Sequence, residues 1–494
     1  MPERVTILIR NAFVVYAAAW ILFNIFLWFN HASFPLNLEA MELTVVQHFK
    51  RAVAGQLIYV EASPDFVPLA YAPFYYYFSV PFAWLFGANL FTMRLVAILG
   101  MLGSGILIYL ATNKQTQSNW WGIMAVGLFA AAYRVMDTYL DNAHSDSWLL
   151  FSVLLGCHLI QWNKSRAINL LGVLFLVMAF WFKQHGALFA IGGVLYLTWR
   201  DGLKKSWVYW LVAALVGPIL YAFAPSLLFG DLFHYYTFTI PSHWSELNIS
   251  AIKRYAGFII KNYFVIAGVG VTAMIYSLVK DRNKMNVWYF TLPFAMLSGF
   301  LGALDPGSNN NVFIPMGVWF MLTGVLGIHA FMMRHDIVNK WALHLGALAI
   351  SFALLLFNPA SVVVSSNAGK AYQDFTSYLN SLDGPVYAPW IGQLEGGYIF
   401  SPSVHWVPME DLIRGRGVDV NDNPQTRRLL DSVIHPDGTA YILTNFPLEN
   451  DPLLSFLMAH YQLETDLGER FSALSTLPKR YNLDHPRYLY KHTP

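Results

Sequence analysis

Long apolar runs alternate with short polar and charged segments through the first 358 residues of this chain. A helix needs about 20 residues to cross roughly 30 Å of hydrocarbon, and the runs predict eleven membrane-spanning helices, several of them shorter than that. Short or broken helices are typical of bundles that enclose a polar cavity. The predicted spans are residues 11–30, 91–112, 120–136, 147–161, 167–182, 186–199, 207–226, 256–279, 287–304, 312–332 and 341–358.

Basic residues predict how the chain is oriented. If the aromatic segment 71–87 lies in the membrane interface as a juxtamembrane helix, the basic residues near the N-terminus and in every second loop fall on one side. The positive-inside rule makes that side cytoplasmic, so the N-terminus is cytoplasmic, the C-terminus is outside, and residues 31–90 form the first outer loop. Residues 167–199 have basic residues at both ends, so the same rule places both ends in the cytoplasm. The segment is therefore a helical hairpin with Lys183 at its outer tip. We expect an integral protein of a prokaryotic cytoplasmic membrane.

The composition changes near residue 360, where charged residues, Pro, Gly and Asn become frequent and no run of membrane length remains. Short apolar runs alternate there with predicted helices, which is typical of an α/β domain. The runs cover residues 386–389 and 440–444, and the helices cover residues 408–415, 425–434 and 452–460. We therefore expect a transmembrane domain at residues 1–358 and an extracytoplasmic α/β domain at residues 359–494.

Composition and charge support this interpretation. Hydrophobic residues make up 56% of the chain and charged residues 12%, about half the charge of a typical soluble domain. The net charge of +2 suggests no nucleic-acid partner. The single cysteine, Cys157, lies inside an apolar run, so no disulfide is expected. The fold class is a polytopic α-helical membrane protein.

Two acids lie near the start of the first outer loop, where a charge costs less than at mid-bilayer. Residues 38–54 carry apolar side chains at helical spacing and end at Gly55, which predicts an amphipathic helix on the membrane surface. Glu39 and Glu42 share a face and fall in its first turn. They can interact with the helix dipole, or one can remove a proton from an acceptor hydroxyl. Glu39 is the first candidate for this catalytic base and Glu42 the second.

A further group of acids lies in the loop at residues 137–147, after the third span. Asp146 and Asp141 are candidates for a second active-site carboxylate. Asp146 can equally cap the helix that begins at Ser147. Oxygen ligands suit a divalent cation, but no spacing here specifies one. A metal therefore stays an open alternative, and no other cofactor is indicated.

Cations on the outer side are candidates for binding a lipid phosphate. Arg94 and Lys183 are each flanked by apolar sequence, and arginine and lysine are the expected partners of a phosphate leaving group. His185 and Tyr71 complete the set of donor-phosphate candidates. Each cation can equally extend its charged end to the membrane interface. The remaining outer cations are Arg134, Lys253 and Arg254.

Two more outer loops carry side chains that suit sugars. Residues 230–255 contain several Tyr, Trp and His residues, and residues 305–311 read Asp-Pro-Gly-Ser-Asn-Asn-Asn. Rings and amides can bind sugar faces and hydroxyls. Aromatic residues are also common at membrane interfaces, so both interpretations stay open.

In their order along the chain, these features resemble the GT-C class of glycosyltransferases, which use polyprenyl-phosphate sugars. The nearest groups are the protein O-mannosyltransferases and the lipid A aminoarabinose transferases. The matching segments are residues 55–59 (Gly-Gln-Leu-Ile-Tyr), 71–76 (Tyr-Ala-Pro-Phe-Tyr-Tyr), 85–87 (Leu-Phe-Gly), Arg94, 144–147 (His-Ser-Asp-Ser) and 183–184 (Lys-Gln). The resemblance covers residues 1–335. Two features depart from it: Leu38 and Glu39 replace the common Asp-Glu pair, and His144 stands where an arginine is frequent.

The resemblance implies a membrane glycosyltransferase with Glu39 as its catalytic base. It would move a sugar from a polyprenyl-phosphate donor to a hydroxyl of a lipid, glycan or protein acceptor on the extracytoplasmic face, with inversion at the anomeric carbon. The alternatives are a transporter or flippase of a lipid-linked molecule and an inactive assembly subunit. Transporters tend to place ionisable residues near the bilayer midplane, between structural repeats.

Overall fold

The computed structural model describes residues 3–223, 225–334, 340–396, 398–415, 431, 438–451, 454–477 and 485–493. Most of this chain is helical, and each of the eleven predicted spans coincides with one helix or with consecutive helices. The helices of the first half are α1 Glu3–Ala32, α2 Glu42–Val53, α3 Phe74–Phe86, α4 Leu90–Thr116, α5 Asn119–Ala131, α6 Asp146–Trp162, α7 Arg166–Phe182, α8 Ala187–Asp201 and α9 Leu203–Ala214. The segment predicted to be a juxtamembrane helix is α3.

The later helices include several short ones. They are α10 Leu220–Phe223, α11 Pro225–Phe229, α12 Ile240–Ser242, α13 Ile249–Asn262, α14 Phe264–Val279, α15 Val287–Ala303, α16 Ile314–Arg334, α17 Lys340–Ala353, α18 Ala368–Asn380 and α19 Trp406–Gly415. A π-helical turn, Leu215–Ile219, joins α9 to α10, and Gly217 leaves helical geometry there. Pro218 accounts for the irregularity because it cannot donate a backbone hydrogen bond.

Four helical stretches in the described chain are long and apolar enough to cross a membrane, or five if one bent pair is counted as a span. The four are Glu3–Ala32, Leu90–Thr116, Leu203–Phe223 and Asn310–Met333. Other predicted spans form shorter apolar helices, such as α5 with 13 residues and α7 with 17. The protein is a polytopic α-helical membrane protein in which long and short helices pack together.

The predicted span 256–279 is wrong in one respect, because the chain bends by 97° between α13 and α14. The break falls at Tyr263, whose side chain is fully buried. Beyond it α14 packs closely on α16, and a Cβ at Gly324 would lie 2.4 Å from the carbonyl oxygen of Ile266. Small residues let helix backbones approach in this way. Tertiary packing therefore decides the bend, since no proline or glycine marks it in the sequence.

The C-terminal region contains a small mixed sheet of four strands in the order β1-β2-β4-β3. The strands are β1 Val386–Tyr387, β2 Tyr441–Thr444, β3 Tyr461–Asp466 and β4 Tyr488–His492. β1 and β2 pair in parallel, and the other two pairs are antiparallel. The predictions of β1, β2 and α19 are confirmed. The predicted helix 452–460 is a 3₁₀ helix at Ser455–Ala459, and apart from residue 431 the predicted helix 425–434 lies outside the described residues.

This C-terminal region covers the segment that joins α1 to α4. The side chain of Gln47 in α2 donates to the carbonyl oxygen of Ser403 at 2.9 Å. The backbone N–H of Leu90 donates to the carboxylate of Glu395 at 2.6 Å. Nine of the twelve residues of α2 are buried, because the helix packs on α3 and α4 as well as on this region. The segment predicted to be an amphipathic helix on the membrane surface is thus a helix whose polar residues Glu42, Thr44, Gln47 and His48 are also buried.

Candidate active site

Glu39 and Glu42 lie on either side of the point where α2 begins. The side-chain oxygen of Asn37 accepts a hydrogen bond from the backbone N–H of Leu43 at 2.9 Å, which satisfies one of the free donors at the helix start. The helix therefore begins at Glu42 rather than at residue 38. The prediction that both acids occupy its first turn is correct for Glu42 and wrong for Glu39.

Glu42 is fully buried and forms a two-point ion pair with Arg94. Its Oε1 accepts from Arg94 Nε at 2.9 Å and its Oε2 from Arg94 Nη2 at 2.5 Å. The backbone N–H groups of Leu38 and Ala143 donate to the same carboxylate at 2.6 and 2.7 Å. Buried charges are tolerated when they are paired and hydrogen-bonded in this way. The geometry therefore favours a structural role for Glu42.

Arg94 uses the rest of its guanidinium to hold the backbone that precedes α2. Its Nη1 donates to the carbonyl oxygens of His31 at 3.0 Å and Phe34 at 2.5 Å, and its Nη2 also donates to Leu36 O at 2.7 Å. With the two bonds to Glu42, all five N–H groups of the guanidinium are occupied. The assignment of Arg94 to the donor phosphate does not fit this geometry, because no donor is left over.

Asp141 belongs to a separate buried cluster. Its Oδ2 lies 2.8 Å from His31 Nδ1, and its Oδ1 accepts from the Tyr133 hydroxyl at 2.5 Å. The other ring nitrogen of His31 lies 2.7 Å from the carbonyl oxygen of Val362. Both ring nitrogens of His31 thus have a hydrogen-bond partner, and the Asp141 carboxylate is occupied by His31 and Tyr133. Of the two candidates for the second carboxylate, the geometry disfavours Asp141.

Glu39 lies in a different environment from Glu42. Its side chain is buried, and among the described residues it forms no salt bridge. Oε2 accepts a hydrogen bond from the Tyr139 hydroxyl at 3.0 Å, whereas Oε1 is buried without a hydrogen-bond partner in the described chain. Burial raises the pKa of Glu39 to about 8, and repulsion by the Glu42 carboxylate adds to the rise. Glu39 is thus a carboxylate that can exchange a proton near neutral pH.

Asp146 and Lys183 form a second buried ion pair. The Lys183 ammonium lies 2.8 and 3.0 Å from the two carboxylate oxygens of Asp146. Asp146 Oδ2 also lies 2.7 Å from His144 Nδ1 and accepts from Asn311 Nδ2 at 3.1 Å. Asp146 is the first residue of α6, and no side-chain hydrogen bond caps this helix end. The capping interpretation of Asp146 is therefore wrong, and its carboxylate faces the polar cluster.

The sharp turn between α7 and α8 places Lys183 in that cluster. α7 ends at Phe182, a single 3₁₀ turn follows, and α8 begins at Ala187. A Cβ at Gly186 would lie 2.4 Å from the backbone of Ala179, so a larger residue would force the two helices apart. The predicted hairpin with Lys183 at its tip is confirmed.

Tyr71 lies where acids from several segments come together. Its ring is edge-on to His144 with centroids 5.6 Å apart, and the Lys183 ammonium lies 5.8 Å from its centre. Burial raises the pKa of the Tyr71 hydroxyl, and carboxylates reinforce the rise; they belong to Asp411, Asp305, Asp146 and Glu39. A small cavity opens beside it, lined by Val45, Tyr71, Ala72, Tyr75, Tyr76, His144 and Ser145.

The other candidate cations contribute less positive charge to the site. Burial lowers the pKa of His185 to about 3, and the Lys183 charge lowers it further, so the ring is neutral at physiological pH. His185 can offer a hydrogen bond to a phosphate but not a charge. Arg134 lies 3.5 Å from Asp137, and Lys253 is exposed.

The loop at residues 305–311 closes the other side of the site. Arg254, another candidate cation, donates to the carbonyl oxygens of Asp305 at 2.9 Å and Ser308 at 2.6 Å. The Asp305 carboxylate pairs with Arg414 of α19 at 2.6 Å. Arg254 therefore shapes the loop, and the C-terminal region is attached to it through Arg414.

Three residues of the site were not predicted from the sequence. Tyr139 contacts Glu39, Asn311 contacts Asp146, and Asn309 donates to the Tyr139 hydroxyl at 2.8 Å. A signal was present, because the loop at 305–311 is unusually rich in amides and Tyr139 stands among acids. Amide side chains in such a loop are available as donors to carboxylates.

The described residues contain no group of three or more His, Cys, Asp or Glu side chains placed to hold a metal ion. The acids of the site are instead paired with cations, amides or hydroxyls. The arrangement brings together one proton-accepting carboxylate, one ammonium beside a second carboxylate, and a wall of aromatic rings.

No family model matches the sequence, and no curated protein matches it. Solved structures share its fold. ArnT from Cupriavidus metallidurans bound to undecaprenyl phosphate superposes with a TM-score of 0.53 at 13% identity, covering 97% of each chain. Its apo form gives a TM-score of 0.51 at 12% identity over 96% of this chain and 97% of ArnT.

A second kind of protein has the same fold. The Archaeoglobus fulgidus oligosaccharyltransferase, in a complex with zinc and sulfate, has a TM-score of 0.51 at 11% identity. The likeness covers 88% of this chain and 67% of that one. ArnT, an aminoarabinose transferase, and the oligosaccharyltransferase are GT-C glycosyltransferases. The chain therefore has the GT-C fold, which confirms the resemblance drawn from its sequence.

Proposed function

We propose that this protein is an integral-membrane glycosyltransferase that moves a sugar from a polyprenyl-phosphate donor to an acceptor hydroxyl. The GT-C fold supports the reaction class. The undecaprenyl phosphate in the ArnT complex supports a donor of this chemistry, since undecaprenyl phosphate is the product left when such a donor gives up its sugar. We infer that the site faces the extracytoplasmic side of a prokaryotic cytoplasmic membrane, with the N-terminus in the cytoplasm.

The observation that carries the proposal is the environment of Glu39. A general base works best when its pKa lies near the operating pH, and burial raises the pKa of Glu39 to about 8. Oε1 is buried and accepts no hydrogen bond from the described residues, so its capacity to accept a proton or hydrogen bond is unused. Glu42 has no such unused capacity, because Arg94 and two backbone N–H groups occupy its carboxylate.

Lys183 is the best candidate to bind the phosphate of the donor. Its ammonium has three N–H groups, and the hydrogen bonds to Asp146 occupy at most two of them. Electrostatic stabilisation of a leaving phosphate is worth most in a site that excludes water, and Lys183 is buried. Tyr71, whose ring centre lies 5.8 Å from the ammonium, and His185, two residues after Lys183 in the chain, can donate hydrogen bonds to the same phosphate.

The reaction is an in-line displacement. The acceptor O–H proton moves to Glu39 Oε1 as the acceptor oxygen attacks the anomeric carbon of the donor sugar. The bond from that carbon to the phosphate oxygen breaks, and the electron pair leaves with the polyprenyl phosphate, whose negative charge Lys183 stabilises. Attack from the face opposite the phosphate inverts the anomeric carbon.

We assign the helical part, residues 1–358, to donor binding and catalysis, and residues 359–494 to a domain that shapes access for the acceptor. The Asp305–Arg414 pair and the hydrogen bond from Trp244 Nε1 to the carbonyl oxygen of Asp411, at 3.3 Å, support this division because they attach α19 beside the site. The acceptor is a lipid, a glycan or a protein.

The decisive experiment incubates the purified protein in detergent with a panel of polyprenyl-phosphate sugars and acceptor lipids or glycans. Mass spectrometry then follows the release of free polyprenyl phosphate. We expect the wild type to consume at least one donor and the Glu39→Gln variant to consume none. A protein that moves intact lipid-linked sugars across vesicle membranes without cleaving any of them is a flippase, and that result would reject the proposal.

A further inference from the structure

The loop that carries Tyr139 begins in a strained conformation. Asp137 and Thr138 have positive φ angles of 51° and 65°, in the left-handed region that non-glycine residues rarely adopt. Thr138 is β-branched, which makes this conformation still less favourable. The surrounding structure holds the strain, because Asp137 Oδ2 accepts from the backbone N–H of Asn310 at 2.7 Å. Strain of this kind persists where neighbours over-determine it, often at functional sites.

This strained turn is followed by Tyr139, whose phenol hydroxyl is held in one hydrogen-bonding orientation. Tyr139 is buried, and its ring is edge-on to His144 with centroids 5.3 Å apart. Asn309 Nδ2 donates to the Tyr139 oxygen at 2.8 Å, and the Tyr139 hydroxyl lies 3.0 Å from Glu39 Oε2. Because Asn309 supplies a donor, the hydrogen of the phenol is directed at Glu39.

We propose that Tyr139 is the positioning residue of the catalytic base: it anchors Oε2 of Glu39, so that Oε1 is the atom that takes the proton from the acceptor. This inference rests on the proposed function. It explains why the two carboxylate oxygens have unequal surroundings, with one bound to a phenol and the other buried without a hydrogen-bond partner among the described residues.

The anchor also sets the proton affinity of Glu39. The titratable groups around the carboxylate are Glu42, Asp146, Tyr139 and Tyr71. Glu42 and Asp146 raise the pKa of Glu39, whereas the Tyr139 hydroxyl and the backbone N–H of Met41 lower it. Loss of the phenol hydroxyl therefore raises the pKa of Glu39 and lowers the fraction of active carboxylate at a given pH.

The test is the pH profile of the Tyr139→Phe variant. We expect kcat at pH 7.5 to fall by about tenfold to a hundredfold, the loss typical for one hydrogen bond to a charged group. We expect the pH of half-maximal kcat to move upward and the KM for the donor to stay unchanged. The matched control is Tyr196→Phe in α8, which removes a buried hydroxyl that donates to Gln161 at 3.1 Å. We expect this variant to have the pH profile of the wild type.

A second variant guards against a folding defect in Tyr139→Phe. Asn309→Ala removes the donor that directs the phenol, and we expect a smaller upward shift of the same midpoint. If neither variant moves the midpoint while Glu39→Gln is inactive, the role of Tyr139 is rejected and the proposed base stands. If Glu39→Gln keeps wild-type turnover, the proposed base itself is rejected.

Discussion

Glu39 and Glu42 are both buried and close enough to repel each other, yet in the described chain only Glu42 has a counter-ion. Arg94 neutralises Glu42. Its other N–H groups donate to backbone carbonyls and so fix the conformation of the segment that precedes α2. Glu39 has no counter-ion among the described residues, and burial, reinforced by repulsion from Glu42, raises its pKa to about 8. Two acids three positions apart therefore lie in different electrostatic environments because their partners differ.

Replacement of Glu39 by Gln should abolish sugar transfer and preserve the fold. Loss of a general base typically lowers turnover by about 10²- to 10⁴-fold, while the amide keeps the size of the side chain and can accept from Tyr139. Turnover with the donor identified in the panel, together with the elution profile in detergent, checks both parts. Transfer at more than a tenth of the wild-type rate would contradict the assignment.

The activity of the wild type should rise with pH through a midpoint near 8. The base must be deprotonated to work, and the raised pKa of Glu39 means that its active form increases as the pH rises toward about 8 and above. The measurement is kcat from pH 5.5 to 9.5 at saturating donor. A profile that falls over this range would show that another group limits the rate.

The stability gain from Glu39→Gln should grow with pH. Glu39 has a pKa of about 8 when folded and 4.5 as the reference value, so the folded state binds the extra proton between these limits and wild-type stability falls as the pH rises between them. The variant has no carboxyl group at this position, so its stability does not fall in this way; the decrease in the wild type is on the order of a few kcal/mol. Its melting temperature should exceed the wild type by more at pH 8.5 than at pH 5. An equal difference at both pH values would argue that Glu39 is charged throughout.

The Glu42–Arg94 pair should behave as a coupled structural unit. Removing one partner of a buried ion pair typically costs about 3–5 kcal/mol because the other charge is left unpaired. Glu42→Gln and Arg94→Met should each lower the melting temperature sharply, and the double variant should lose much less than the sum. The double-mutant cycle measures this coupling. Additive losses would mean that the two side chains do not stabilise each other.

Lys183→Met should lower turnover by about 10²- to 10³-fold, the range seen when one donor to a developing charge is removed. The variant also leaves the Asp146 carboxylate without its cation, which can lower the stability of the protein. The double variant Lys183→Met with Asp146→Asn removes both charges and tests whether this restores the stability. Lys253→Met, at an exposed site, should match the wild type. Normal turnover in Lys183→Met would move the phosphate site elsewhere.

Local sequence pattern determined most of the helical architecture. Apolar runs placed α1, α4, α7 and α16, and the polar interruption at Lys183 marked the α7–α8 turn, because burial in hydrocarbon requires continuous apolar helices. β3 and β4 were missed. β3 exposes most of its residues, so it has no clear apolar alternation to detect, and β4 lies close to the C-terminus.

Only the tertiary structure decided which polar groups meet. Glu42 and Arg94 are 52 positions apart, and Glu39 and Tyr139 are 100 apart. The bend at Tyr263 likewise depends on packing between α14 and α16. Sequence spacing reveals which residues share one helix face, but it does not show which loops lie side by side once the helices pack. For that reason the sequence identified both acids as candidates, whereas the partners that distinguish them, Arg94 for Glu42 and Tyr139 for Glu39, came from the fold.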